Sequence, residues 1–226
     1  MLELGVGAGR VAIPLARAGA RVVGVDRAPR MLAAPAERVA REPDEVRARL
    51  SWHGAEAGDL ELEERFDLVL APFNAFAELA ADGHGGQALG WARRHLAPTG
   101  ALAFDVLVPN PSLWSGLRST TPWFEDDETG ELARCTQSFD FDAPSRTLTI
   151  TTEVRAMDAA APSRVFMLRQ RQLGEDDVQS MLATHGFDLV WRTATFALPR
   201  AGMIDALPSE PEDARSDAVA RVCVPR

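Results

Sequence analysis

The residues able to do chemistry cluster at the start of the chain, where acids and glycines alternate at short, regular intervals. Glu3 precedes Leu4-Gly5-Val6-Gly7-Ala8-Gly9-Arg10, and Asp26 stands 17 residues beyond Gly9. Glycine lacks a Cβ, so backbone can approach a ligand closely, and a helix that starts just after such a turn presents unpaired N–H groups. An acid at the tip of a following strand can accept hydrogen bonds from both hydroxyls of a ribose. Together these residues suit a nucleotide-like ligand, with a surface-turn acid as the plainer reading of Asp26.

The elements that would position them follow from periodicity. Met1 to Leu4 reads as the end of a buried strand. Val11, Ile13, Leu15 and Ala16 continue into a short helix that stops at Gly19, and Arg21 to Val25 is a second buried strand. Ala33 to Leu50 is helical in composition, with Pro35 and Pro43 expected at a turn or break. Leu50 to His53 forms a third strand and Phe66 to Ala71 a fourth. A helix over Gly85 to Leu96 leads to a fifth strand, Ala101 to Val108. Strands alternating with helices predict an α/β fold with a doubly wound parallel sheet.

Beyond Pro109 the pattern changes. Trp114, Trp123 and Phe124 stand among turn formers and acids, which predicts a loop with aromatic anchors. Alternation through Ser138 to Asp142, Leu148 to Val154 and Arg164 to Gln172 then predicts a three-stranded antiparallel meander. A helix over Gly174 to His185, with Asp176 as its N-cap, is followed by a sixth strand, Phe187 to Phe196. A polar, Pro-rich loop from Pro199 to Asp217 and a seventh strand, Ala218 to Val224, close the chain. The expected organisation is one domain over residues 1–226, with residues 110–173 as an inserted loop and meander.

The bulk numbers bound the function. The 226 residues suffice for one large domain, and a net charge of −9 without a basic tail disfavours capture of nucleic acid or an anionic membrane. All 24 cationic side chains are Arg, which reads as the composition of a GC-rich bacterial genome. Cys135 and Cys223 have no metal-ligand spacing and are expected as reduced thiols. With no long apolar run and no signal-peptide pattern, the expected location is cytoplasmic.

Two families of glycine turn compete for the opening motif. The dinucleotide fingerprint GxGxxG needs a third glycine for close helix-to-strand packing, and Arg10 stands at that position. The order Glu3-Leu4-Gly5-Val6-Gly7-Ala8-Gly9 instead resembles motif I of the class I S-adenosylmethionine-dependent methyltransferases. The resemblance is specific over residues 1–108 and architectural after that. It implies a Rossmann-like sheet of seven strands, the last antiparallel, and S-adenosyl-L-methionine as cofactor.

It also implies roles, residue by residue. Glu3 lies beside the sulfonium and α-ammonium groups, the Gly5-Val6-Gly7 turn carries the methionine moiety, and Asp26 holds the ribose. In the stretch Asp26-Arg27-Ala28-Pro29-Arg30-Met31, Met31 packs on the adenine. Glu56 accepts from the adenine amino group and the Ala57 N–H meets a ring nitrogen, with Asp59 a rival and a plain loop carboxylate the alternative. Pro72-Phe73-Asn74 forms the reaction mouth, where Pro72 stiffens the chain as it leaves the sheet; Asn74 is equally a common turn former.

The family uses an insertion after strand five to wall the pocket of a small-molecule substrate; a homodimer surface or a plain stabilising sheet would explain the meander as well. His53, His84, His95, His185 and Asp105 are candidate bases, and no catalytic residue is assigned. The family also carries helices ahead of strand one, whereas Met1 here falls within that strand. The readings are therefore methyl transfer to a small-molecule N, O or carboxylate nucleophile, an NAD-linked oxidoreductase, or a catalytically incomplete protein that keeps only the fold.

Overall fold

The computed structural model describes residues 1–56, 58–111, 116–126, 129–158, 162–193 and 218–226. The expected turn about Ala160, Trp114, Ala57, the end of strand six beyond Thr193 and the loop before Ala218 lie outside them. The chain divides into two compact units, one formed by Met1–Val108 with Gly174–Arg226 and the other by Pro109–Leu173.

The first unit is built on a seven-stranded sheet. Its strands are β1 (Leu2–Leu4), β2 (Val22–Asp26), β3 (Leu50–Gly54), β4 (Phe66–Ala71), β5 (Leu96–Leu107), β11 (Phe187–Thr193) and β12 (Ala218–Pro225), in the order β11-β12-β5-β4-β1-β2-β3. The five from β1 to β5 run parallel, and β12 is antiparallel to both β5 and β11. Leu2 pairs with Val23 on one side and Val69 on the other, and all three are almost completely buried. Central parallel strands covered on both faces read as unbroken apolar runs, as these do. The chain order reverses between β1 and β4, which places the crevice of a doubly wound sheet at the carboxyl ends of those strands.

Gly24 shows how tightly this core closes. A Cβ there would stand 2.5 Å from Cε3 of Trp52 and 2.7 Å from Cγ2 of Val6. The glycine in the otherwise β-branched run Val22-Val23-Gly24-Val25 makes room for the indole of the neighbouring strand.

The helices are α1 (Ala12–Arg17), α2 (Pro29–Ala40), α3 (Asp44–Arg47), α4 (Ala75–Ala81), α5 (Gly85–His95) and α6 (Glu175–Thr184). Several boundaries differ from the expectation. Helix α2 begins at Pro29 and runs unbroken across position 35, whereas Pro43 does punctuate the chain, as N-cap of α3. Strand β5 begins at Leu96 rather than Ala101, because Leu96 pairs with Phe66 ahead of an irregularity between Phe66 and Leu68. Gly100 permits this: a Cβ there would lie 2.8 Å from the Phe66 carbonyl oxygen. The N-cap of α6 is Gly174, not Asp176, and the Asp177 carboxylate accepts the Gly174 N–H at 2.8 Å.

The second unit is antiparallel and larger than a three-stranded meander. Strands β8 (Leu132–Asp142), β9 (Thr147–Ala156) and β10 (Arg164–Arg171) are the expected three; β6 (Arg118–Thr120) and β7 (Phe124–Glu125) both pair with β8. The Arg-Ser-Thr of β6 has no apolar alternation to announce it. Trp123 and Phe124 are exposed rather than anchored, and the Arg134 guanidinium sits 5.1 Å from the Trp123 ring centre.

Both cysteines are free: Cys135 is half-buried on β8, and Cys223 is wholly buried on β12, where burial pushes its thiol up to about 12. Among the described residues no helix is long and apolar enough to cross a membrane, and no group of three His, Cys, Asp or Glu is placed to hold a metal ion.

Candidate active site

The glycine turn behaves as its composition requires. Gly5, Gly7 and Gly9 all take positive φ, at 67°, 52° and 73°, a region that L side chains avoid. The Gly5 and Val6 N–H groups both donate to the Val25 carbonyl, at 2.9 and 3.1 Å, which ties the turn to the end of β2. Val6 turns its side chain into the core, so only its backbone remains for a ligand. Met31 reaches back over the turn, with Cε 3.2 Å from where a Cβ on Gly7 would lie.

Asp26 closes the opposite wall. Its Oδ2 accepts the Gly7 N–H at 2.8 Å and its Oδ1 accepts the Ala28 N–H at 2.9 Å. One carboxylate thus joins the glycine turn to the start of α2 and keeps further lone pairs on each oxygen. Arg27, beside it, hydrogen-bonds Asp82 and lies 3.6 Å from Glu56 Oε1. The hydrogen bond to Asp82 raises its guanidinium above the ordinary value, and Glu56 and Glu78 add to that.

A single crevice collects these groups. Its lining is Leu4, Gly5, Val25, Asp26, Arg27, Ala55, Glu56, Ala75, Glu78 and Leu79. Gly5, Asp26, Arg27 and Glu56 are the residues that the sequence singles out, and the fold brings them together at neighbouring strand ends. Gly7 and Met31 lie beside the lining, and Pro72 starts the turn that carries α4. Ala75, Glu78 and Leu79 escape the sequence reading; their spacing on α4 puts them on one helical face, a signal available in the sequence. Asp59, the rival to Glu56, does not line the crevice.

Among the described residues two acids have a buried carboxylate oxygen without a hydrogen-bond partner. Glu3, at 1% exposure, has Oε2 without a hydrogen-bond partner, and so does Glu56. Desolvation pushes the Glu3 carboxyl up to about 8, against a smaller lowering by the Arg10 charge. Buried acceptors without donors are costly, and a ligand bearing positive charge or N–H donors would satisfy them. A pyrophosphate entering the same crevice would instead meet like charge. The donor and acceptor set therefore fits a cationic nucleoside better than a dinucleotide.

The turn Pro72-Phe73-Asn74 is strained. Phe73 and Asn74 hold φ of 59° and 60°, two consecutive non-glycine residues in the left-handed region. The Arg10 guanidinium stacks 3.0 Å from the centre of the Phe73 ring, bridging the glycine turn to this one. Asp105 accepts the N–H groups of both Phe73 and Asn74. Its pKa is raised, because burial outweighs those two bonds. Asp105, a candidate base from the sequence, is thus a carboxylate with both oxygens hydrogen-bonded to the turn.

The histidines separate by environment. His95 is buried, accepts the Leu62 N–H on Nε2 at 3.0 Å and hence donates from Nδ1 to the Trp91 carbonyl at 2.9 Å. Both ring nitrogens are committed to the scaffold. His185 caps α6, and His53 is half-buried on β3. His84 alone approaches the crevice, with Nδ1 3.7 Å from Glu56 Oε2.

A glycine turn at a topological switch point, with acids at successive strand ends, is the arrangement of a nucleoside-binding crevice in the doubly wound α/β class. Residues 1–100 match the family model described as a methyltransferase domain. Among solved structures, the CcbJ methyltransferase from Streptomyces caelestis is 26% identical, with a TM-score of 0.76 over 99% of this chain and 82% of its own. The sugar N-methyltransferase KedS8 from Streptoalloteichus is 18% identical, with a TM-score of 0.71 over 98% of this chain and 78% of its own. The glycopeptide N-methyltransferase MtfA, complexed with S-adenosyl-L-methionine, is 21% identical, with a TM-score of 0.62 over 100% and 80%. No curated protein matches the chain significantly. Residues 1–100 are thus similar to a methyltransferase domain, and the chain as a whole shares its fold with solved methyltransferases.

Proposed function

We propose that the protein transfers a methyl group to a small-molecule nucleophile, an amine, hydroxyl or carboxylate, and that residues 1–226 act as one cytoplasmic methyltransferase domain with residues 110–173 inserted. The observation that carries the binding mode is the crevice that Gly5, Asp26 and Glu56 line together, with the buried Glu3 Oε2, which has no hydrogen-bond partner, on the adjoining strand β1. S-adenosylmethionine supplies an electrophilic methyl group on a sulfonium centre. In this reading Glu3 receives the cationic amino-acid end and the Gly5-Val6-Gly7 turn gives that end room. Asp26 accepts the ribose hydroxyls while still holding the Gly7 and Ala28 N–H groups. Glu56 accepts the adenine amino group, Ala57 supplies the adjoining N–H, and Met31 packs on the ring. Arg27, tied to Asp82, stands 3.6 Å from Glu56 Oε1 in the same wall. Pro72 and the turn after it face the acceptor.

Methyl transfer by in-line displacement asks the protein mainly to align the nucleophile and exclude water. A base is required only where the nucleophile arrives protonated. Hydrogen bonds already occupy both ring nitrogens of His95 and both oxygens of Asp105, so neither is assigned that role.

Calorimetry with S-adenosylhomocysteine tests the cofactor site. The unsubstituted chain is expected to bind it, and Asp26→Ala to weaken binding about a hundredfold, the loss of two charge-assisted hydrogen bonds. Unaltered affinity in Asp26→Ala, or no binding by the unsubstituted chain, would refute the site. A cofactor-consumption screen over small amines, hydroxy compounds and acids identifies the acceptor class.

A further inference from the structure

The turn between β4 and α4 is the one place among the described residues where two non-glycine residues in a row are held left-handed. Such backbone is costly for a side chain like that of Phe73 and persists only when its surroundings over-determine it. Here the constraint comes from 31 and 32 residues away. The Phe73 N–H donates to Asp105 Oδ1 at 2.6 Å and the Asn74 N–H to Oδ2 at 3.0 Å. The Asn74 side chain completes the tie by accepting the Leu107 N–H on Oδ1 at 3.0 Å, so β5 grips the turn at two points. Asn74 is 4% exposed and its Nδ2 has no partner.

What this turn fixes is the entry of α4. Ala75 follows at once, and its Cβ lies 3.2 Å from where a Cβ on Gly5 would stand. Ala75, Glu78 and Leu79 form one wall of the crevice whose other side is the glycine turn and Asp26. Turn angle therefore sets crevice width. We infer that Asp105 is a positioning residue: its carboxylate holds Phe73 and Asn74 left-handed, and so keeps the α4 wall at the spacing that binds the cofactor. This rests on the cofactor site proposed above.

A double-substitution cycle in the full chain tests it, read by calorimetric affinity for S-adenosylhomocysteine well below the melting temperature. Asp105→Asn replaces one acceptor oxygen by an amide NH2 and is expected to weaken binding about tenfold. Phe73→Gly supplies a residue that takes positive φ without strain. In that background Asp105→Asn should matter little, with the double variant within about threefold of Phe73→Gly alone. A purely structural carboxylate would lower the melting temperature and leave the affinity unmoved. Wild-type affinity in Asp105→Asn, or equal losses in both backgrounds, would overturn the inference while leaving the cofactor site standing. If Asp105→Asn does not fold, a folded double variant that binds like Phe73→Gly supports the inference, and an unfolded one overturns it. An unsubstituted chain that binds nothing removes both, which separates the two failures.

Discussion

The two compact units bury their side chains by different rules. In the first, the parallel strands are apolar on both faces, and Leu2, Val22 and Val69 are at 0% exposure. In the second, Ala133 and Leu148 are buried, while Val165 and Met167 on β10 are 60% and 72% exposed. The second unit relies on its long antiparallel ladders, with ten residue pairs between β8 and β9 and eight between β9 and β10. The first unit has the packing surplus to bury a carboxylate such as Glu3 at its centre. That difference teaches where function is concentrated: polar groups in a tightly packed parallel sheet are held in place, and a sheet whose β10 side chains are largely exposed has fewer such fixed positions.

The contrast can be broken most severely at Gly24. Gly24→Val forces atoms against Trp52 and Val6 and is expected to destabilise the first unit by about 3 kcal/mol, read as a lowered urea midpoint. Retention of full stability would mean that this core is looser than its contacts imply.

Glu3 sharpens the contrast through pH. Its carboxyl is raised from 4.5 to about 8 by burial, so without a ligand the fold keeps a proton that the unfolded chain has lost. Stability from this group is therefore full below 4.5 and declines as pH rises towards 8. A cationic ligand prefers the ionised form, so its binding releases the proton. Affinity for S-adenosylmethionine, whose sulfonium charge is fixed, should rise about tenfold per unit between pH 6 and pH 8. In Glu3→Gln the profile should be flat over that range. A sloping profile in that variant would assign the titration to another group.

At the small end, Met167→Ser on the exposed strand should change stability by less than about 0.5 kcal/mol, measured by thermal melting. A larger loss would reveal that this side chain is packed against something in solution.

Legibility in the sequence follows the range of the interaction. The turn at Gly5, Gly7 and Gly9 can be read directly, because only glycine tolerates those angles cheaply, and β2 with Asp26 at its end follows from a short β-branched run. The left-handed Phe73 and Asn74 cannot, since nothing nearby requires them; their constraint is Asp105, more than 30 residues further along. The wall of α4 escapes the sequence reading although Ala75, Glu78 and Leu79 share a face. Strand β6 stays hidden because Arg118-Ser119-Thr120 carries no apolar alternation to announce it. The run through Pro35 is expected to break and does not, a case where helix context overrides a local propensity.

The cysteines have a practical consequence. One thiol stands in each compact unit, Cys223 wholly enclosed and Cys135 half open. A thiol-alkylating reagent applied to the native chain will reach Cys135 quickly, and Cys223 only when β12 detaches from its neighbours. The molecule thus carries a built-in clock, and peptide mass mapping of alkylated samples can time the release of β12 at Cys223, with Cys135 as the accessible reference, without altering a residue.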